Sequence, residues 1–100
     1  SSTGKPRLFG LQGSYAGTSF DLNDDLVTIG REPGNTVTLN NDSTISRRHA
    51  QLARQAGAYT LTDFESSNGT FVNDVKITGE CVVRPGDTVQ FGMSKFKLEG

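Results

Sequence analysis

Residues 49–63 read HAQLARQAGAYTLTD, two short runs of alternating apolar and polar residues on either side of QAG. Ala50 and Leu52 fall on one side of the first run, Tyr59 and Leu61 on one side of the second. Gln51, Thr60 and Thr62 take the opposite positions. A repeat of two is that of an extended strand, and a helix would need apolar residues three and four apart. The glycine-containing break supplies turn chemistry. The stretch therefore predicts two strands, each with one face toward a core.

The same pattern recurs outward from it. Strands are expected at 7–11, 18–22, 26–30, 36–39, 49–54, 58–63, 70–72, 75–77, 81–83, 87–91 and 95–99, with GSYAG, NDD, EPGN, NNDST, ESSNG, ND and RPGD among the turns. Short strands at intervals of eight to twelve residues are the signature of an all-β sandwich or barrel. Val27, Ile29, Val37, Leu39, Val89, Phe91, Phe96 and Leu98 should join the four apolar residues above in the core. Thr28, Thr38 and Gln90 belong to the solvated faces. The expected fold is all-β, an eleven-stranded two-layer antiparallel β-sandwich over residues 7–100, preceded by a polar tail over 1–6.

Composition narrows the function. A chain of 100 residues is one domain, and 12 glycines with 33% apolar residues suit a turn-rich β fold. The net charge of −1 argues against nucleic-acid and membrane-surface binding, as does the want of an interleaved aromatic platform. One cysteine, Cys81, leaves no internal disulfide and no four-cysteine zinc site; it reads as a small strand residue. The cytoplasm is the natural setting, or the nucleus in a eukaryotic cell. No apolar run is of membrane-spanning length.

The charge is unevenly placed. Asp21, Asp24 and Asp25 cluster early, whereas residues 44–54 hold Arg47, Arg48 and Arg54 and no acid. Three loops carry the unusual polar residues: 30–35 (GREPGN), 41–49 and 65–70 (ESSNGT). Serine hydroxyls and arginine forks suit an oxyanion, and arginine meets phosphate oxygens in a bidentate way. Taken singly, each loop also reads as plain turn or solvated surface. Strand counting does not require the three to share an end of the sandwich; their common chemistry suggests that they do. His49, which opens an apolar strand, reads as a buried pin of its loop in preference to a ligand.

Gly30-Arg31, Ser46-x-x-His49 and Ser67-Asn68-Gly69, in that order on an all-β pattern, resemble the forkhead-associated (FHA) domain family over roughly residues 7–99. The resemblance implies an eleven-stranded sandwich that binds phosphothreonine peptides in a signalling protein, without catalysis, cofactor or metal. It implies phosphate contacts from Ser46, Arg47 and Ser67, with Arg31 contacting the phosphate or bracing the loop that does, and a bond from Asn68 to the peptide backbone just beyond the phosphothreonine. Gly30, His49, Gly69 and Asn73 would support the site. The partner would be a threonine-phosphorylated protein or peptide, with a Ser/Thr kinase upstream, and the chain a monomeric domain of a larger protein. Two departures stand out. Asn73-Asp74 replaces the Asn-Gly frequent in the family, and aspartate tolerates the backbone that turn requires. Thr44, a possible specificity residue, stands where some members carry an arginine that reads an acid three places after the phosphothreonine. Two rivals remain: a phosphate-independent adaptor, and a hydrolase built on Ser46, His49 and Asp63. The hydrolase lacks the strained elbow that presents a nucleophilic serine.

Overall fold

A computed structural model describes residues 6–55 and 58–99. The expected tail therefore lies, apart from Pro6, outside the described residues, as do Ala56 and Gly57 of the QAG turn. Eleven strands form: β1 (Arg7–Gln12), β2 (Ser19–Asp21), β3 (Leu26–Gly30), β4 (Val37–Thr38), β5 (Ala50–Gln55), β6 (Ala58–Asp63), β7 (Thr70–Val72), β8 (Val75–Lys76), β9 (Glu80–Val83), β10 (Thr88–Phe91) and β11 (Ser94–Glu99). They make a six-stranded sheet, β2-β1-β11-β10-β7-β8, and a five-stranded sheet, β4-β3-β5-β6-β9. Among the described residues no helix is long and apolar enough to cross a membrane.

Alternation located the core. All twelve residues expected inside are buried and belong to one cluster that both sheets build. Leu8, Val72 and Val83 join them from the strands, and Tyr15, Leu22 and Ile45 from loops. Phe91 and Phe96 lie at the centre with ring centroids 6.0 Å apart, and Phe96 meets Phe20 edge-on at 6.0 Å. The outward residues Thr28, Gln51, Thr60, Thr62 and Gln90 are half-buried, as neighbours on a sheet face should be.

One pairing departs from the antiparallel pattern and decides where the loops go. β3 and β4 are parallel, with Ile29 beside Val37 and Gly30 beside Thr38. Parallel neighbours usually need a crossover of a dozen or more residues. Here six suffice because β4 is only two residues long and the loop is tied at both feet: Thr36 N–H donates to Thr28 Oγ1 (3.0 Å), and Leu39 N–H to the Gly30 carbonyl (2.8 Å). The ends of β3 and β4 consequently point the same way. The start of β5 stands beside the end of β3 through Ile29 and Ala50, and the end of β6 beside it through Ala50 and Asp63. Loops 31–36, 39–49 and 64–69 thus emerge at one end of the sandwich. The β10–β11 turn joins them, since Phe91 pairs with Thr70.

Candidate functional site

Loop 39–49 is held by its own buried residues. Ile45 is plugged into the core, and the buried Asp42 carboxylate accepts bonds from the Thr44 N–H (2.9 Å), the Thr44 hydroxyl and the Ser94 hydroxyl (2.6 Å). Burial pushes the Asp42 carboxyl up, but these donated bonds outweigh it and hold it below the usual carboxylate range. Thr44 Oγ1 in turn accepts from the Met93 N–H (2.9 Å), which joins the loop to the β10–β11 turn. Gly92 permits this approach: its φ is 60°, and a Cβ there would run into Thr44.

His49 is fully buried and joins two loops. Its Nδ1 accepts from the Ser46 N–H (3.0 Å), so the proton sits on Nε2, which donates to the Gly69 carbonyl (2.8 Å). The ring also meets Phe91 edge-on at 5.6 Å. Burial lowers its pKa, against the raising effects of the Gly69 carbonyl and the Asp63 and Asp42 charges. The pinning role read from the sequence is what the geometry shows. It also removes the hydrolase arrangement: both ring nitrogens are committed to backbone groups, and neither is placed to take a proton from the Ser46 hydroxyl.

That hydroxyl accepts instead from the Ser67 N–H (3.1 Å), across from loop 64–69. Asp63 anchors this second loop by accepting from Ser66 (2.6 Å) and Thr70 (2.7 Å). Burial raises the Asp63 carboxyl, and the two hydroxyl bonds more than offset it, leaving it below the usual range. Asn68 is exposed and donates through Nδ2 to the Thr44 carbonyl (2.6 Å), leaving its other amide donor and its carbonyl oxygen for a ligand. Gly69 follows at φ 88°, a left-handed turn that favours glycine.

Loop 31–36 closes the ring. Arg31 N–H donates to the Ser46 carbonyl (3.0 Å) and Arg31 Nε to the Ile45 carbonyl (3.0 Å), so one guanidinium donor braces loop 39–49 and four remain. Gly30 is required because a Cβ there would collide with the Arg47 carbonyl. That carbonyl also accepts from Glu32 N–H (3.2 Å) and Asn35 Nδ2 (2.9 Å), fixing the Arg47 backbone while its side chain stays exposed. Among the described residues neither Arg31 nor Arg47 forms an ion pair, whereas Arg48 and Glu32 approach only to 4.0 Å.

Arg31, Ser46, Arg47, Ser67 and Asn68 are therefore gathered on one surface, over the support of Gly30, His49 and Gly69. One expectation needs correction. Asn73 is not beside the site: with Asp74 it forms the β7–β8 turn (φ 50° and 69°), and it bonds Thr88 at the far end of β10. The Thr44 hydroxyl is engaged with the Asp42 carboxylate and the Met93 N–H. Thr44 lines a hollow of about 220 Å³ with Asn68, Phe71, Gln90, Gly92 and Met93, none of them charged. Asp42 was missed, although an aspartate two residues before a threonine in NDST is the pattern of a side-chain-closed turn.

The fold is an eleven-stranded β-sandwich with a cluster of polar loops at one end, and residues 27–92 match the FHA domain family. The chain belongs to that family. It is 42% identical over 87 residues to an oxoglutarate dehydrogenase inhibitor from Corynebacterium diphtheriae, covering 87% of this chain and 58% of the relative. It is 36% identical over 96 residues to the glycogen accumulation regulator GarA of Mycolicibacterium smegmatis, covering 96% of this chain and 58% of that protein. The chain thus spans somewhat over half the length of these relatives. Among solved structures, an FHA domain studied for phosphothreonine-dependent interactions superposes with a TM-score of 0.83 at 28% identity, covering 97% of both chains.

Proposed function

We propose that this domain binds threonine-phosphorylated proteins or peptides as the recognition module of a signalling protein. One observation carries the reading: the parallel β3–β4 pair and the Ser67–Ser46 bond bring Arg31, Ser46, Arg47 and Ser67 together, with no acid pairing the arginines among the described residues, over a buried framework. Phosphothreonine presents a charge near −2 and three acceptor oxygens. Two arginine forks, one hydroxyl donor and Ser67 meet those oxygens without a metal, and the Asn68 amide holds the peptide backbone beyond the phosphothreonine. The hollow beside Asn68 holds no cation, so an uncharged residue is favoured over aspartate three places after the phosphothreonine.

The domain is not an enzyme in this reading, because its one serine–histidine pair is wired through backbone groups. Relatives named as an inhibitor of oxoglutarate dehydrogenase and a regulator of glycogen accumulation support a cytoplasmic regulator of metabolic enzymes as the parent protein. The test is capture from matched phosphothreonine, phosphoserine and unphosphorylated peptide libraries. Selective retention of the phosphothreonine library is expected. Capture indifferent to phosphate would transfer the function to a phosphate-independent adaptor.

A further inference from the structure

A second hollow, of about 300 Å³, shares no lining residue with the one beside Asn68. Its floor is the outer face of the five-stranded sheet at Thr28 and Gln51, which pair across β3 and β5. Pro33 and Phe64 supply apolar walls, and Glu32 and Arg48 the rim. The walls are fixed from behind: Phe64 N–H donates to the His49 carbonyl (3.0 Å), and Glu32 N–H to the Arg47 carbonyl. Phe64 is nevertheless 40% exposed, and the Arg48 side chain is 80% exposed. This cleft therefore includes Arg48, the chain neighbour of Arg47, and offers aromatic surface left open among the described residues.

We infer that this cleft binds a large uncharged side chain, aromatic or long aliphatic, one to three residues before the phosphothreonine of the same bound peptide. The inference rests on the phosphothreonine reading, which sets the direction of the peptide. If Asn68 holds the backbone beyond the phosphothreonine, later residues run toward Thr44 and Met93. The preceding ones then run the opposite way, past Arg47 to Arg48 and Phe64. An extended peptide advances about 3.3 Å per residue, so a cleft lined by the neighbour of a phosphate ligand falls within three residues of it. Charge selects the class of side chain. Arg48 opposes lysine and arginine there, Glu32 opposes acids, and the uncharged floor with its proline and phenylalanine walls rewards apolar area.

The test compares two peptides with the same residues after the phosphothreonine. One begins at an acetylated phosphothreonine, and the other carries three preceding residues in which tyrosine or leucine is placed in turn against alanine. Both are titrated by calorimetry against the wild-type domain, Phe64→Ala and Gln51→Trp, the last of which fills the cleft. One preceding position is expected to tighten binding about 5- to 20-fold in the wild type. Both variants should lose that gain and still bind the truncated peptide as the wild type does. Equal affinity for all extended peptides, or a gain that survives in both variants, would overturn the cleft. Failure of the wild type to bind even the truncated peptide would overturn the phosphothreonine reading, and this inference with it.

Discussion

Arg47 and His49 stand two residues apart and do opposite work. Arg47 reaches into solvent with only its backbone fixed, so Arg47→Ala should leave the urea midpoint unchanged. A charge-assisted bond is worth about 1.5–3 kcal/mol, and its loss should weaken phosphopeptide binding roughly 10- to 100-fold. Isothermal titration of both proteins decides it, and equal affinities would remove Arg47 from the site. Ser46→Ala should bind as poorly and also lose some stability, because Ser67 N–H loses its partner. His49 is buried neutral, with its native pKa lowered by burial from the ordinary 6.5. The unfolded chain therefore binds the proton first as pH falls. Its contribution is complete above about pH 6.5 and is lost progressively below it, toward the lowered native value. Since the chain holds 1 histidine and the Asp42 and Asp63 carboxyls titrate lower, a stability slope between pH 7 and 5 belongs to His49. Urea unfolding at pH 7.5, 6.5 and 5.5 should show it, and His49→Asn should flatten it while destabilising the domain throughout.

The strands were legible because each needs only its own alternation, and HAQLAR and AYTLTD carry it within six residues. The convergence of the three loops was legible from their shared chemistry and not from topology. Counting assumes that successive strands reverse, and no local signal announces that two-residue β4 runs parallel to β3. Anchors were the least visible. Asp42 reads as one more turn residue until the chain folds, because its partner Ser94 lies 52 positions away. Asp42→Ala would strand the buried Ser94 hydroxyl and the Thr44 amide, at a cost of about 2–3 kcal/mol. The same change should loosen loop 39–49, so phosphopeptide affinity should fall although Asp42 touches no ligand. Chemical denaturation and titration of that one variant test both effects. The Asn73-Asp74 turn is a milder case. Asp74→Gly relieves a left-handed φ of 69° but gives up the Lys95–Asp74 ion pair at 2.7 Å. An exposed pair is worth about 0.2–1 kcal/mol, close to the gain, so the variant should unfold within about 1 kcal/mol of the wild type.

At the scale of the whole molecule, the proposed phosphopeptide site is built on loops whose ties run into the core. His49 rests against Phe91, Ile45 is part of the hydrophobic cluster, and Asp42 reaches Ser94 at the head of β11. A phosphopeptide that bridges loops 31–36, 39–49 and 64–69 can therefore bind only the folded sandwich, since unfolding scatters its ligands along the chain from Arg31 to Asn68. Binding must then raise the stability of the entire domain by mass action. With free peptide at a hundred times its Kd, the gain is about 2.7 kcal/mol. For a domain of this size, about 1 kcal/mol moves Tm by 4–8 °C, so saturation should raise Tm by roughly 10–20 °C. The unphosphorylated peptide at the same concentration should leave Tm in place. Lowering the pH through about 6 should shrink the shift, because the phosphate then loses its second charge. Differential scanning calorimetry at pH 7.5 and 5.5, with each peptide, measures all of this. A phosphate-dependent shift confined to a minor, early transition would mean that the loops melt apart from the sandwich, and the ties through His49, Ile45 and Asp42 would not couple site to core.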